Sequence, residues 1–90
     1  MPNIIQRIHT TSDFEKSFKK LPSQIQTLAE KKDKWFRVNP FDSRLRTHQL
    51  KGELKGYWAY SVNYHFCILL KFLNPHEAVY YDIGTHEIYR

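Results

Sequence analysis

The chain has 90 residues, enough for one compact domain around one small hydrophobic core and too few for two ordinary domains. Fourteen Lys and Arg stand against nine Asp and Glu, a formal charge of +5, and 16% of the residues are aromatic. These figures lead us to expect a single ordered, aromatic-packed domain over residues 1–90 that meets something acidic. A lone cysteine, Cys67, excludes a disulfide framework and a cysteine-rich zinc site, and its simplest reading is a small apolar filler. The longest apolar run, Phe66 to Leu70, stops at Lys71, and Arg7 interrupts the stretch where a signal peptide needs unbroken apolar residues. A cytoplasmic protein with no membrane partner is the expectation.

Ile4, Ile5 and Ile8 form a β-branched run before Thr10, Thr11 and Ser12, which predicts a strand over 4–9. Ser12 and Glu15 have the spacing of a capping box, so a helix starts there. Phe14, Phe18 and Leu21 then recur at i, i+4 and i+7, leaving Lys16, Lys19 and Lys20 for solvent. Pro22 fits the first turn of a second helix, which makes Leu21-Pro22-Ser23 the joint of a helical hairpin. Ile25, Leu28, Ala29, Trp35 and Phe36 share one face of that helix, which should stop near Asn39-Pro40. The charged stretch Glu30 to Lys34 reads as its solvated side.

From Phe41 to Thr47 no period is visible, and turn formers mark a loop carrying Arg44 and Arg46. Residues 57–62 alternate with period two, Asn63-Tyr64 turns the chain, and Phe66 to Leu73 follows as a strand. After a turn at Asn74-Pro75-His76 comes a last strand, Ala78 to Ile83, which Gly84 ends, leaving 85–90 as a tail. The order β-α-α-β-β-β predicts an α+β domain, with a helical hairpin packed on a mainly antiparallel twisted sheet. In the strand after Asn63-Tyr64, Phe66, Ile68, Leu70 and Phe72 make the better core face, while Cys67, Leu69, Lys71 and Leu73 point the other way.

Charge and aromatics are distributed in opposite senses. Residues 1–55 hold twelve Lys and Arg against six Asp and Glu, whereas residues 56–90 hold two against three. Nine of the fourteen aromatic residues lie after residue 55, so basic helices and loops are expected on an aromatic sheet.

No Gly-rich phosphate loop or nucleophile elbow is present, and the five histidines lack the i, i+4 spacing of a metal-binding helix. What remains is a set of basic and imidazole groups near strand ends: Arg44, Arg46, His48, Lys51, Lys55, His65, His86 and Tyr89. Such groups suit RNA. A phosphodiester beside a 2′-hydroxyl is cut without a metal when one group takes the hydroxyl proton, another protonates the leaving oxygen, and fixed cations hold the charge on phosphorus. Histidine titrates near neutral pH and serves either role, while Tyr and Trp stack on unpaired bases. Each residue also has a plainer reading, as a surface histidine, a solubilising cation or an aromatic in sheet packing. From the residues alone the chain is a domain for nucleic acid or another acidic partner.

The run His48-Gln49-Leu50-Lys51-Gly52-Glu53-Leu54-Lys55-Gly56-Tyr57-Trp58, then Tyr60-Ser61-Val62-Asn63, the strand Phe66 to Phe72 and the ending Asp82-Ile83-Gly84-Thr85-His86, closely resembles the RelE/ParE-like toxins of type II toxin–antitoxin systems. The resemblance covers essentially the whole chain. It implies a RelE-like fold and, because His48 and His86 stand where ribonuclease branches carry acid–base groups, a metal-independent endoribonuclease that cleaves mRNA on the ribosome and inhibits translation. It further implies His48 as general base, His86 as general acid and Tyr89 as a contact to base or phosphate. Arg44, Arg46, Lys51, Lys55, His65 and Lys71 would then serve RNA binding. The implied partners are the ribosome, mRNA and a cognate acidic antitoxin encoded beside the gene, with no cofactor. The ParE branch instead poisons DNA gyrase, and a non-catalytic member would only bind its antitoxin. One departure stands out: the family usually has an Arg where this chain has Cys67, which implies a rate lower by about a hundred- to a thousandfold, the effect of losing one transition-state donor. Lys71, two residues along on the same face, is a candidate to supply that charge.

Overall fold

The computed structural model describes residues 4–89, and of Tyr89 the backbone alone. Strand β1 (Arg7–Thr10) leads into α1 (Ser12–Lys19) and α2 (Ser23–Val38), followed by β2 (His48–Gln49), β3 (Trp58–Ser61), β4 (Phe66–Asn74) and β5 (Glu77–Thr85). The strands form one sheet in the order β1-β5-β4-β3-β2, with β1 parallel to β5 and every other pair antiparallel. The α+β reading with its helical hairpin holds, and the two-residue β2 is a strand the sequence pattern did not reveal. No helix of the described residues is long and apolar enough to cross a membrane.

The helices cover the face bearing Ile68, Leu70, Tyr60, Val62, Tyr80 and Ala78, into which Phe14, Ala29 and Phe36 pack. Phe36 is fully buried, stacked on Tyr60 at 4.8 Å and on Phe72 at 5.9 Å between centroids. The alternation read from 66–73 is thus the alternation observed, and Tyr57, Trp58, Tyr60, Tyr80 and Tyr81 are packing residues. On the opposite face Leu50, Ala59 and Leu69 form a smaller cluster with Leu54, Tyr57, Tyr81 and Ile88.

Several boundaries differ from expectation for identifiable reasons. The first strand begins at Arg7 because the backbone N–H groups of Ile5 and Gln6 donate to the carbonyls of Arg37 and His76 instead of joining a ladder. The cap of α1 is Thr11, one residue before the expected Ser12: its hydroxyl accepts from the N–H of Phe14 at 3.0 Å and donates to the Tyr81 carbonyl at 2.8 Å. Pro22 stands just outside α2, as its N-cap. The stretch Glu30 to Lys34 is not uniformly solvated. Asp33 accepts a hydrogen bond from the buried Tyr80 hydroxyl at 2.7 Å and pairs with Arg37 at 2.9 Å. Because the Tyr80 hydroxyl donates its hydrogen to Asp33, it is Tyr60 that donates to Tyr80 at 2.9 Å, and burial raises both phenols above the ordinary tyrosine range.

The tail is also structured. Gly84 does not end β5, which runs to Thr85, and His86–Tyr89 form a 3-10 turn that folds back against β4 and β5. A Cβ on Gly84 would meet Ile88 Cγ2 at 2.8 Å, so this close approach requires glycine.

Candidate active site

The run His48 to Tyr57 folds as β2, a tight connection and the entry to β3. Gly52 and Gly56 take φ of +70° and +97°, and the 3-10 turn Gly52–Leu54 between them closes through the Lys55 N–H to the Gly52 carbonyl. Only glycine takes such angles cheaply, while Leu50 and Leu54 pack in the smaller cluster, so the L-x-G-x-x-x-G pattern is a folding requirement. Its result is an edge strand that presents His48, in register with Ala59.

Beside this edge lies an open hollow of about 690 Å3. Arg44, Arg46 and His48 line one wall, Lys32 of α2 joins them, and Ser61, Asn63, Tyr64 and His86 line the rest. The structure therefore brings together four residues singled out in the sequence, from positions up to 42 residues apart. It adds Ser61 and Asn63, which stood only within the stretch that carries the resemblance, and Lys32 and Tyr64, since a lysine in a charged helical stretch and an aromatic in a turn are ordinary.

Both imidazoles are oriented by backbone carbonyls. His48 Nδ1 is 2.9 Å from the Arg46 carbonyl oxygen, and His86 Nε2 is 3.3 Å from that of Tyr64. A carbonyl only accepts, so Nδ1 of His48 and Nε2 of His86 carry protons. In either ring the other nitrogen, Nε2 of His48 and Nδ1 of His86, is then the one left to take or give a proton.

The cations differ in how far they are neutralised. Arg44 is forked onto Asp42, at 3.0 and 2.8 Å, and lies 3.6 Å over the Trp35 ring. That fork, with the Arg44 N–H, holds the Asp42 carboxyl down at about 2. Lys32 stands 4.0 Å over the same ring, and its pKa is lowered first by partial burial, then by repulsion from Lys31 and Arg44. The corner is thus short of negative charge and suited to an anion.

The other singled-out residues lie elsewhere. Lys51 and Lys55 flank the 3-10 turn after β2 and are exposed, and Lys71 Nζ sits 4.4 Å over the Tyr57 ring, near the same connection. His65 is exposed beside Tyr64, ring centroids 5.2 Å apart. Cys67 is 1% exposed, paired in register with Ser61 and Gly84, and its Sγ is 4.0 Å from the Thr85 carbonyl oxygen. It lies on β4 between Ser61 of β3, which lines the hollow, and the end of β5 that leads into His86. The Tyr89 side chain is outside the described residues. Among the described residues, no three His, Cys, Asp or Glu side chains are grouped to hold a metal ion.

No family model matches the sequence, and no curated protein does. Solved structures do match. The chain is similar to a YoeB/ParE toxin from Agrobacterium tumefaciens, with a TM-score of 0.76 at 12% identity, covering 90% of this chain and 99% of that one. It is similar to the RelBE2 toxin–antitoxin complex from Mycobacterium tuberculosis, at 0.75 and 18%, covering 92% and 93%. For the E. coli DinJ-YafQ toxin–antitoxin complex the values are 0.70 and 22%, covering 94% and 98%. The fold is therefore that of RelE-like toxins over nearly the whole chain.

Proposed function

We propose that this chain is a RelE/ParE-like toxin of a type II toxin–antitoxin pair and acts in the cytoplasm as a metal-independent endoribonuclease on ribosome-bound mRNA. The observation that carries this reading is the pair His48 and His86 on one basic hollow, each held through one ring nitrogen by a backbone carbonyl; the resemblance gives His48 the part of base and His86 that of acid. His48 Nε2 takes the 2′-hydroxyl proton, the 2′-oxygen bonds to phosphorus, the bond to the 5′-oxygen breaks, and His86 Nδ1–H protonates that oxygen. Arg46 and Lys32 hold the phosphoryl charge, with Arg44 behind them on Trp35. Lys51, Lys55 and Lys71, around the β2 to β3 connection, contact more distant RNA, and His65 and Tyr89 contact flanking nucleotides.

The resemblance implies a fixed cation at position 67, and the buried Cys67 supplies none, so the phosphoryl charge falls to Arg46 and Lys32. The partner is an acidic antitoxin that folds on binding, consistent with the charge of +5 and with the fold shared with toxins solved in antitoxin complexes.

Adding the purified protein to a cell-free translation reaction and mapping message ends by primer extension tests the reading. Ribosome-dependent cuts that fall at least a hundredfold in His48→Ala and His86→Ala are expected. Gyrase-mediated DNA cleavage with intact messages would place the chain with the gyrase-directed branch instead, and antitoxin binding with neither activity would leave a non-catalytic member.

A further inference from the structure

Tyr64 is the most exposed aromatic side chain described, at 86%, in a chain whose other sheet aromatics are half-buried or buried. It sits on the rim of the hollow that holds both histidines. The turn carrying it is rigid: the Asn63 side-chain oxygen accepts from the N–H groups of His65 at 2.9 Å and Phe66 at 2.8 Å, and the Val62 N–H donates to the Phe66 carbonyl at 2.8 Å. The same residue's carbonyl orients His86. An aromatic ring left in water on a hydrogen-bonded turn, at the rim of the hollow that holds both histidines, is a platform for a flat partner.

From this placement we infer that Tyr64 is a nucleobase-stacking residue, which holds the unpaired base next to the reacting phosphate while Arg46 and Lys32 hold the backbone. The inference rests on the ribonuclease reading and deepens it by assigning a base contact. The ring offers a π-face to any base, so stacking here adds affinity and register with little sequence preference. His65, edge-on to Tyr64 with an interplanar angle of 83°, limits how that ring can swing. One turn thus serves two purposes, with its backbone turning the acid and its side chain seating the base.

The test uses the full chain and a short fluorescein-labelled single-stranded RNA, made uncleavable by 2′-O-methylation, beside the same backbone with abasic sites. The wild type should bind the base-bearing strand about ten- to a hundredfold more tightly than the abasic one. Tyr64→Ala should erase that preference without changing abasic binding, and Tyr64→Phe should keep it. Because the ring is exposed, Tyr64→Ala should melt within a few degrees of the wild type. A preference that survives in Tyr64→Ala overturns the inference, as does equal wild-type binding of both strands, which would leave charge alone and the ribonuclease reading intact. Failure of the wild type to bind either strand likewise overturns the inference, while the ribonuclease reading is decided separately by the message cuts in cell-free translation.

Discussion

His48 Nδ1 lies 2.9 Å from the carbonyl oxygen of Arg46, and Arg46 is, among the described residues, the non-glycine residue with a left-handed backbone, at φ 53°. The 3-10 turn Ser43–Leu45 ends at Arg46, whose N–H closes it onto the Ser43 carbonyl, and the left-handed step then aims the Arg46 carbonyl at the imidazole. A side chain in that region costs about 1–2 kcal/mol, so the turn keeps this conformation at a cost in stability.

Backbone and side chain of Arg46 therefore have separable effects. Arg46→Gly takes φ 53° without strain and removes the side chain while leaving the carbonyl in place. It should weaken RNA binding and lower the salt dependence by about one phosphate contact, while the pH profile of cleavage keeps its shape. Arg46→Val resists the left-handed region. It should lower stability by about 1–2 kcal/mol in denaturant titration and distort the limb of the pH profile that reports the base, because the carbonyl no longer turns His48. Identical pH profiles for the two variants would refute the positioning role.

Cys67→Arg is where sequence and structure lead to different expectations. The resemblance implies that an arginine here would restore activity, yet position 67 is buried beside the Thr85 carbonyl, with the turn His86–Tyr89 folded over the neighbouring strands. A guanidinium is far larger than the thiol and must displace its neighbours, and Ile88 of the turn that carries His86 lies against Gly84, the register partner of Cys67. Cys67→Arg should therefore lower stability by about 1–3 kcal/mol, the cost of overpacking, and leave cleavage no faster. Thermal melts and message cleavage measured together decide it, and a faster, equally stable variant would show that the site accepts the charge.

This difference shows which parts of the structure were legible from the chain. Period-two alternation in 66–73 and the i, i+4, i+7 spacing of Phe14, Phe18 and Leu21 are local and strong, so the hairpin and the meander followed from them. The two residues of β2 are too short to show a period, and their pairing depends on Gly52 and Gly56. Lys32, Ser61 and Tyr64 reach the hollow through tertiary packing alone, whereas His48 and His86 stood out because their chemistry is distinctive. The tail is not legible in the chain because Gly84 resembles a terminator, while its role is to admit Ile88.

The buried phenols make an alkaline prediction. Burial raises Tyr60 and Tyr80 above the unfolded value of about 10. Their stabilising contribution is complete below that value and is lost as pH rises through the folded values, because the unfolded chain releases those protons first. In a phenolate absorbance titration, two of the six tyrosines should therefore ionise only as the chain unfolds. Tyr80→Phe leaves Asp33 and Tyr60 each short of a partner and should cost about 1–3 kcal/mol. Six phenols titrating together with the fold intact would contradict the buried network.

Asp42 sets how much of the hollow's charge reaches RNA. Its carboxylate, held down at about 2 by the Arg44 fork and the Arg44 N–H, stays ionised at any pH where the protein works and offsets Arg44. The folded value lies below the unfolded one, so the fork persists above the unfolded value and opens as pH falls toward 2. Asp42→Asn removes the offset at neutral pH while Trp35 still holds the guanidinium at 3.6 Å. Single-stranded RNA should then bind more tightly, with a plot of log affinity against log salt steeper by about 0.7, the increment for one added phosphate contact. Lys32→Ala should change the slope by a similar amount in the opposite sense. If Asp42→Asn leaves the slope unchanged, Arg44 does not face the RNA and the charge of the hollow comes from Lys32 and Arg46 alone.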